Sequence, residues 1–145
     1  MLMRAMTVAV SAFALTAFSF GPDQMSAADE RLSQYERTGE TRSCIQLTRL
    51  RSIEPLDDER WLFLMRGGQT FLNEVSRGCN GAASNFTYLT YTVPGSSLCR
   101  NEIVTVMERV GSGANFRGSC SLGDFELLVP IEDDDEAAGD APYGD

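Results

Sequence analysis

The 145-residue sequence contains no histidine and no lysine, and all twelve of its basic side chains are arginine. Without histidine it lacks the commonest general base at neutral pH and the commonest transition-metal ligand. Serine and cysteine need a neighbouring base to become nucleophiles, so Ser-His, Cys-His and Ser-Lys arrangements are all excluded. No two cysteines stand in C-x-x-C spacing, which removes the zinc ribbon and the redox dithiol. A run long enough to cross a bilayer is missing as well. The charge-free stretch over residues 5–20 has sixteen positions, short of the roughly 20 that a spanning helix needs.

That short run has the features of an export leader. One arginine, Arg4, precedes it, Gly21 and Pro22 break it, and Ser26 and Ala28 place small side chains at the −3 and −1 positions of a cleavage site after Ala28. The expected organisation is a signal peptide over residues 1–28, a polar lead-in over 29–40 that forms a short helix or ordered approach, a β domain over 41–131, and a disordered acidic tail over 132–145. The expected location is periplasmic or secreted, with no membrane span once the leader is removed.

The formal charge of −9 is unevenly placed. Nine arginines and nine acids between residues 41 and 131 leave the β domain neutral, whereas residues 132–145 carry seven acids and no base. A neutral domain gives nucleic acid nothing to bind, so that class of partner is excluded. The tail lacks the alternating ligands and glycine of a calcium loop. No metal and no cofactor is expected.

Export changes the meaning of Cys44, Cys79, Cys99 and Cys120. An even number of cysteines in a short secreted chain is read as a disulfide framework. Three connectivities are open, and the preferred one joins Cys79 to Cys99 as an inner bridge and Cys44 to Cys120 as an outer one.

From residue 43 onward, short apolar runs alternate with Gly, Pro, Asn and Asp, the rhythm of strands and turns. The runs are residues 44–51, 61–65, 69–75, 86–93, 103–109 and 125–129. Trp61, Leu62, Phe63, Leu64 and Met65 are apolar at every position, as in a strand covered on both faces. Gly67 and Gly68 follow directly and supply a tight hairpin to the next run. Asp57 and Asp58 mark the preceding turn, and residues 111–118 read as a loop. The expected fold is mainly β, a small antiparallel barrel or sandwich of about six strands stapled by disulfides.

Several of these residues form an ordered pattern: Cys44, Ile45, Leu47, Arg49, Arg51 and Ser52; Asp57 and Asp58; Phe63, Met65, Arg66, Gly67 and Gly68; Asn73; Arg77, Cys79 and Gly81; Leu98 and Cys99; Ile103; and Cys120, Leu122, Gly123 and Phe125. Over residues 40–129 this pattern resembles a family of small exported proteobacterial proteins known as a domain of unknown function. The resemblance implies a periplasmic or secreted domain with paired cysteines and no assigned activity. The chain departs from the family at Asn101 and Glu102, where Gly-Asp is expected before the isoleucine.

Two kinds of chemistry remain open. Arg49, Arg51 and Arg66 converge if the first core strand lies beside the Arg66 turn, and would then grip a carboxylate or phosphate bidentately. Alternatively they form structural ion pairs with Asp57 and Asp58, the reading favoured by the nearness of both signs in the sequence. Sugar hydrolysis needs only two acids, and Asp57, Asp58, Glu59, Glu74, Glu102, Asp124 and Glu126 are the candidates, though no spacing singles out a pair. The expected function is a non-catalytic binding or structural module whose partner is an envelope protein or glycan. A carboxylate-dependent hydrolase of an envelope polymer is the alternative.

Overall fold

A strand that is apolar at every position needs cover on both sides, and the fold supplies it. A computed structural model describes residues 25–132. Most of the leader expected at 1–28, and all but the first residue of the tail expected at 132–145, lie outside the described residues. The chain runs as α1 (Ala27–Leu32), β1 (Tyr35–Arg42), β2 (Cys44–Gln46), a 3-10 turn (Leu47–Arg49), β3 (Leu50–Pro55), β4 (Arg60–Met65), β5 (Thr70–Glu74), β6 (Thr87–Tyr91), β7 (Ser97–Cys99), β8 (Ile103–Val110), β9 (Gly113–Ser121) and β10 (Phe125–Pro130).

The strands form three antiparallel sheets, ordered β1-β10-β5-β4-β3, β2-β7 and β6-β8-β9. They do not close into a barrel. One face of the five-stranded sheet carries Trp61, Phe63, Phe71 and Phe125, packed with Ile45 of β2, Leu98 of β7 and Val104 and Val106 of β8. Phe63 and Phe125 meet edge to face at 5.1 Å. The alternate residues Leu62, Leu72 and Leu128 point the other way, against Leu32 and Tyr35 from the N-terminal segment and Leu56. β4 is therefore apolar from Trp61 to Met65 because it is the shared wall of two cores.

All six apolar runs contain strand, and Gly67 and Gly68 take positive φ values of 97° and 89° in the β4–β5 turn. Three expectations change. The polar segment after α1 is a paired strand: β1 lies against β10 with Tyr35 opposite Pro130. Hydrogen bonding to a neighbour at one margin asks for little apolar surface, so the sequence carries no strand pattern there. Residues 111–118 are also mostly strand, since β9 pairs with β8 from Gly113 onward.

The third change is the disulfide pairing, which is Cys44–Cys99 and Cys79–Cys120. Cys44 and Cys99 are directly opposed across the β2–β7 ladder. Cys79 does not belong to a hairpin with Cys99, because its segment crosses to β9. A Cβ on Gly118 would stand 2.0 Å from the Gly78 carbonyl oxygen, and one on Gly78 2.3 Å from that of Ser119. Gly118 of β9 thus serves close backbone approach rather than turning, although a glycine there reads as loop. With both bridges formed no cysteine is free, the state of a chain held in an oxidising environment.

A second close approach fixes the entry to β10. Asn73 is fully buried, and its amide closes both ways on Gly123, donating to the carbonyl at 2.9 Å and accepting from the N–H at 2.8 Å. At Asn101 and Glu102 the turn forms. Asn101 adopts φ 67°, a left-handed position that Asn tolerates, and the Glu102 carboxylate accepts the Cys99 N–H.

Replacing Cys79 and Cys120 together by Ala is expected to lower unfolding free energy by about 4 kcal/mol, from the closed loop of 41 residues. Gly118→Ala, whose added methyl meets backbone, should cost about 3 kcal/mol or more. Urea unfolding of the oxidised chain reads both, and a Gly118→Ala protein as stable as the parent would contradict the close approach.

Candidate functional site

The β3–β4 hairpin has chemistry at each end. At one end, Asp57, Asp58, Glu59 and Arg60 join Arg77, Gly78 and Asn80 around an open cleft of about 820 Å³. Asp57 builds the turn. Its Oδ1 accepts the N–H groups of Glu59 and Arg60 at 2.9 and 2.6 Å, its Oδ2 accepts Arg60 Nε at 2.7 Å, and its carbonyl accepts Trp61 Nε1 at 3.1 Å. Asp58 accepts the Gly81 N–H at 2.7 Å and so ties the turn to the Cys79 segment. Arg60 also reaches Asp29 on α1 at 2.6 Å.

The bonds to Asp57 and Asp29 favour their charged forms. Burial pushes Asp57 upward, but the Glu59 N–H, the Arg60 guanidinium and the Arg60 N–H together hold it below its ordinary value. Asp29 is lowered by the Ser26 hydroxyl and then by Arg60. Glu126 is lowered chiefly by Arg37, which also contacts Glu74 at 3.3 Å. A two-carboxylate hydrolase needs one acid held protonated near neutral pH, and these three move the opposite way. Asp124 is paired to Arg100 at 3.4 Å, and Glu102 is engaged by the Cys99 backbone.

At the other end stand Arg49, Arg51 and Arg66. Arg66 donates its backbone N–H to the Arg49 carbonyl at 2.7 Å, so the two arginines face each other beyond the Leu50–Met65 pair. Arg51 occupies the bulge between Leu50 and Ser52. All three are exposed, and among the described residues none has a carboxylate within ion-pair distance. The favoured pairing with Asp57 and Asp58 is therefore overturned. The six residues of β4 separate the two groups, a distance of about 20 Å at the rise of a strand.

Sequence reasoning missed a third feature, the outer face of the β6-β8-β9 sheet. Tyr88, Met107 and Phe116 form a cross-strand row, Phe86 lies beside it, and Arg109 stacks on Tyr88 with its guanidinium carbon 5.0 Å from the ring centroid. Phe86 and Phe116 are 71% and 65% exposed. The alternation of Phe86 and Tyr88 with Thr87 and Leu89 was the available signal. Among the described residues no group of three or more Cys, Asp or Glu is placed to hold a metal ion.

No family model, no curated protein and no solved structure matches the chain. The likeness to an exported proteobacterial family expected from the motif residues therefore receives no support from these comparisons.

The lowered carboxylates give a pH dependence of definite sign. Groups whose folded pKa is depressed stabilise the fold above the unfolded pKa, and that contribution is lost as pH falls through the folded value. Asp29, Asp57 and Glu126 should all do this below about pH 4. Because Arg60 bridges Asp29 to Asp57, α1 should loosen first. Amide exchange of residues 27–32 is expected to quicken on acidification before that of β4, and Arg60→Gln should remove the difference.

Proposed function

We propose that this chain is an exported, non-catalytic binding module of the bacterial cell envelope, periplasmic or secreted, which holds an anionic group of a protein or glycan partner on Arg49, Arg51 and Arg66. The observation that carries the reading is that three exposed arginines stand near one end of the β3–β4 pair, none with a carboxylate in ion-pair distance among the described residues. Like charges opposed across a ladder are unfavourable in the free protein, and an anion seated between them removes that cost. Guanidinium forks suit carboxylate, phosphate and sulfate groups alike. The hydrolase alternative draws no support from Asp57 and Asp58, which are occupied by Arg60 and by backbone N–H groups.

Two measurements test the proposal. In the source cell, mass analysis of the mature protein should find a chain beginning at Asp29 with both disulfides intact. A cytoplasmic, full-length form with four thiols would defeat the export reading. For the site, dextran sulfate should bind the purified protein in a salt-sensitive manner, while neutral dextran should not. The triple variant Arg49→Gln, Arg51→Gln, Arg66→Gln should lose at least tenfold in affinity, and the matched variant Arg100→Gln, Arg109→Gln, Arg117→Gln should lose less than twofold. Equal losses in the two variants would show attraction to positive charge in general and overturn the assignment.

A further inference from the structure

The path from β1 to β3 creates a second site. Leaving Arg42 at one margin of the five-stranded sheet, the chain crosses the large core face as β2 and reaches the opposite margin through the 3-10 turn. The Cys44–Cys99 bridge and the Ser96 carbonyl, which accepts the Leu47 N–H at 2.8 Å, fix the crossing to β7 and the residue before it. Beside the crossing lies a notch of about 250 Å³ lined by Arg42, Cys44, Ile45, Gln46, Arg49, Met65, Gln69 and Phe71.

Its apolar and polar parts are separated. Ile45, Met65 and Phe71 are buried and form an apolar floor, while Arg42, Gln46, Arg49 and Gln69 are exposed and form the rim. Arg42 is held over the Phe71 ring, its guanidinium carbon 5.5 Å from the centroid. The one ion pair of Arg42, to Glu40 at 3.2 Å, is half exposed on both sides, and such a pair contributes little and exchanges readily. Among the described residues Arg49 has no such partner. The lining thus holds two guanidinium groups and no carboxylate.

We infer that this notch binds a free carboxylate attached to a small apolar group, the chemistry of the last residue of a peptide or of an N-acylated amino acid. The apolar floor calls for a hydrocarbon portion, which a bare phosphate or sulfate lacks. The volume is below the 300–1,000 Å³ or so of a drug-sized pocket and suits a single side chain. The rim supplies two forks for one carboxylate and two amides able to donate or accept. The inference rests on the proposed function for Arg49, but Arg42 is its own.

The test uses the oxidised full-length protein and four probes: N-acetyl-leucine, its amide, and a hexapeptide ending in Ala-Leu with a free or an amidated terminus. Both free carboxylates should give saturable shifts in the amide resonances of Ile45, Gln46, Gln69 and Phe71, and both amides should bind at least tenfold more weakly. Arg42→Gln and Arg49→Gln should each weaken binding at least fivefold, with unchanged melting temperature, whereas Arg51→Gln should bind as the parent does. Tighter binding of the hexapeptide than of N-acetyl-leucine assigns the ligand to a chain end, and equal binding assigns it to the small acylated amino acid. Amides that bind as well as acids, shifts centred elsewhere, or no shift at all would overturn the inference. Because Arg42 takes no part in the dextran sulfate site, Arg42→Gln should lose the carboxylate probes while keeping dextran sulfate, which separates failure of one reading from failure of the other.

Discussion

Where the backbone of Gly78 lies against Gly118 and Ser119, two pieces of chain approach more closely than any side chain would allow, and the Cys79–Cys120 bond is made beside that contact inside the large core. The rest of the architecture depends on it. The bond secures the loop that follows β5 to the strand that precedes β10, so β5, β9 and β10 are anchored in one region, and the Asn73 amide then sets the turn into β10. A described body of little more than a hundred residues buries a modest fraction of its unfolded surface. Two cross-links closing loops of 55 and 41 residues, worth about 4 kcal/mol each, match the scale of a small domain's whole stability of about 5–15 kcal/mol.

Much of this fold was legible in the residues. The unbroken apolar run from Trp61 to Met65 required two covered faces, and the glycine pair after it required a hairpin. Periodicity failed where backbone rather than side chains decided the outcome. Gly118 of β9 is there to admit Gly78, and a small residue reads the same whether it marks a turn or a close contact. The cysteine pairing was hidden for a related reason, since it depends on which segments cross and not on their spacing along the chain.

The candidate site was legible in a more instructive way. Placing a hairpin turn after Met65 and another turn at Asp57 already sends Arg66 and the two aspartates to opposite ends of one strand. Nearness in sequence of opposite charges suggested pairing, yet a single extended strand is an efficient separator. What the residues alone could not give was the second partner of β4, the strand β3. Only the β3–β4 register places Arg49 opposite Arg66 and converts scattered arginines into a group. Arg42 and the notch were out of reach for the same reason, because they depend on a crossing that joins the two margins of the sheet.

Those margins also bear on how the molecule can associate. β1 presents Glu36, Arg37, Glu40 and Arg42 along its length and is interrupted by an irregularity between Arg37 and Thr41, while β3 carries the bulge at Arg51 and ends in Pro55. Charged, kinked and proline-terminated borders are poor templates for a foreign strand. Growth of the sheet from one molecule into the next, the route to fibres in a crowded compartment, is discouraged on both flanks. Association through the five-stranded sheet is therefore directed toward its faces and hairpin tips, where recognition is by side chains and can be selective.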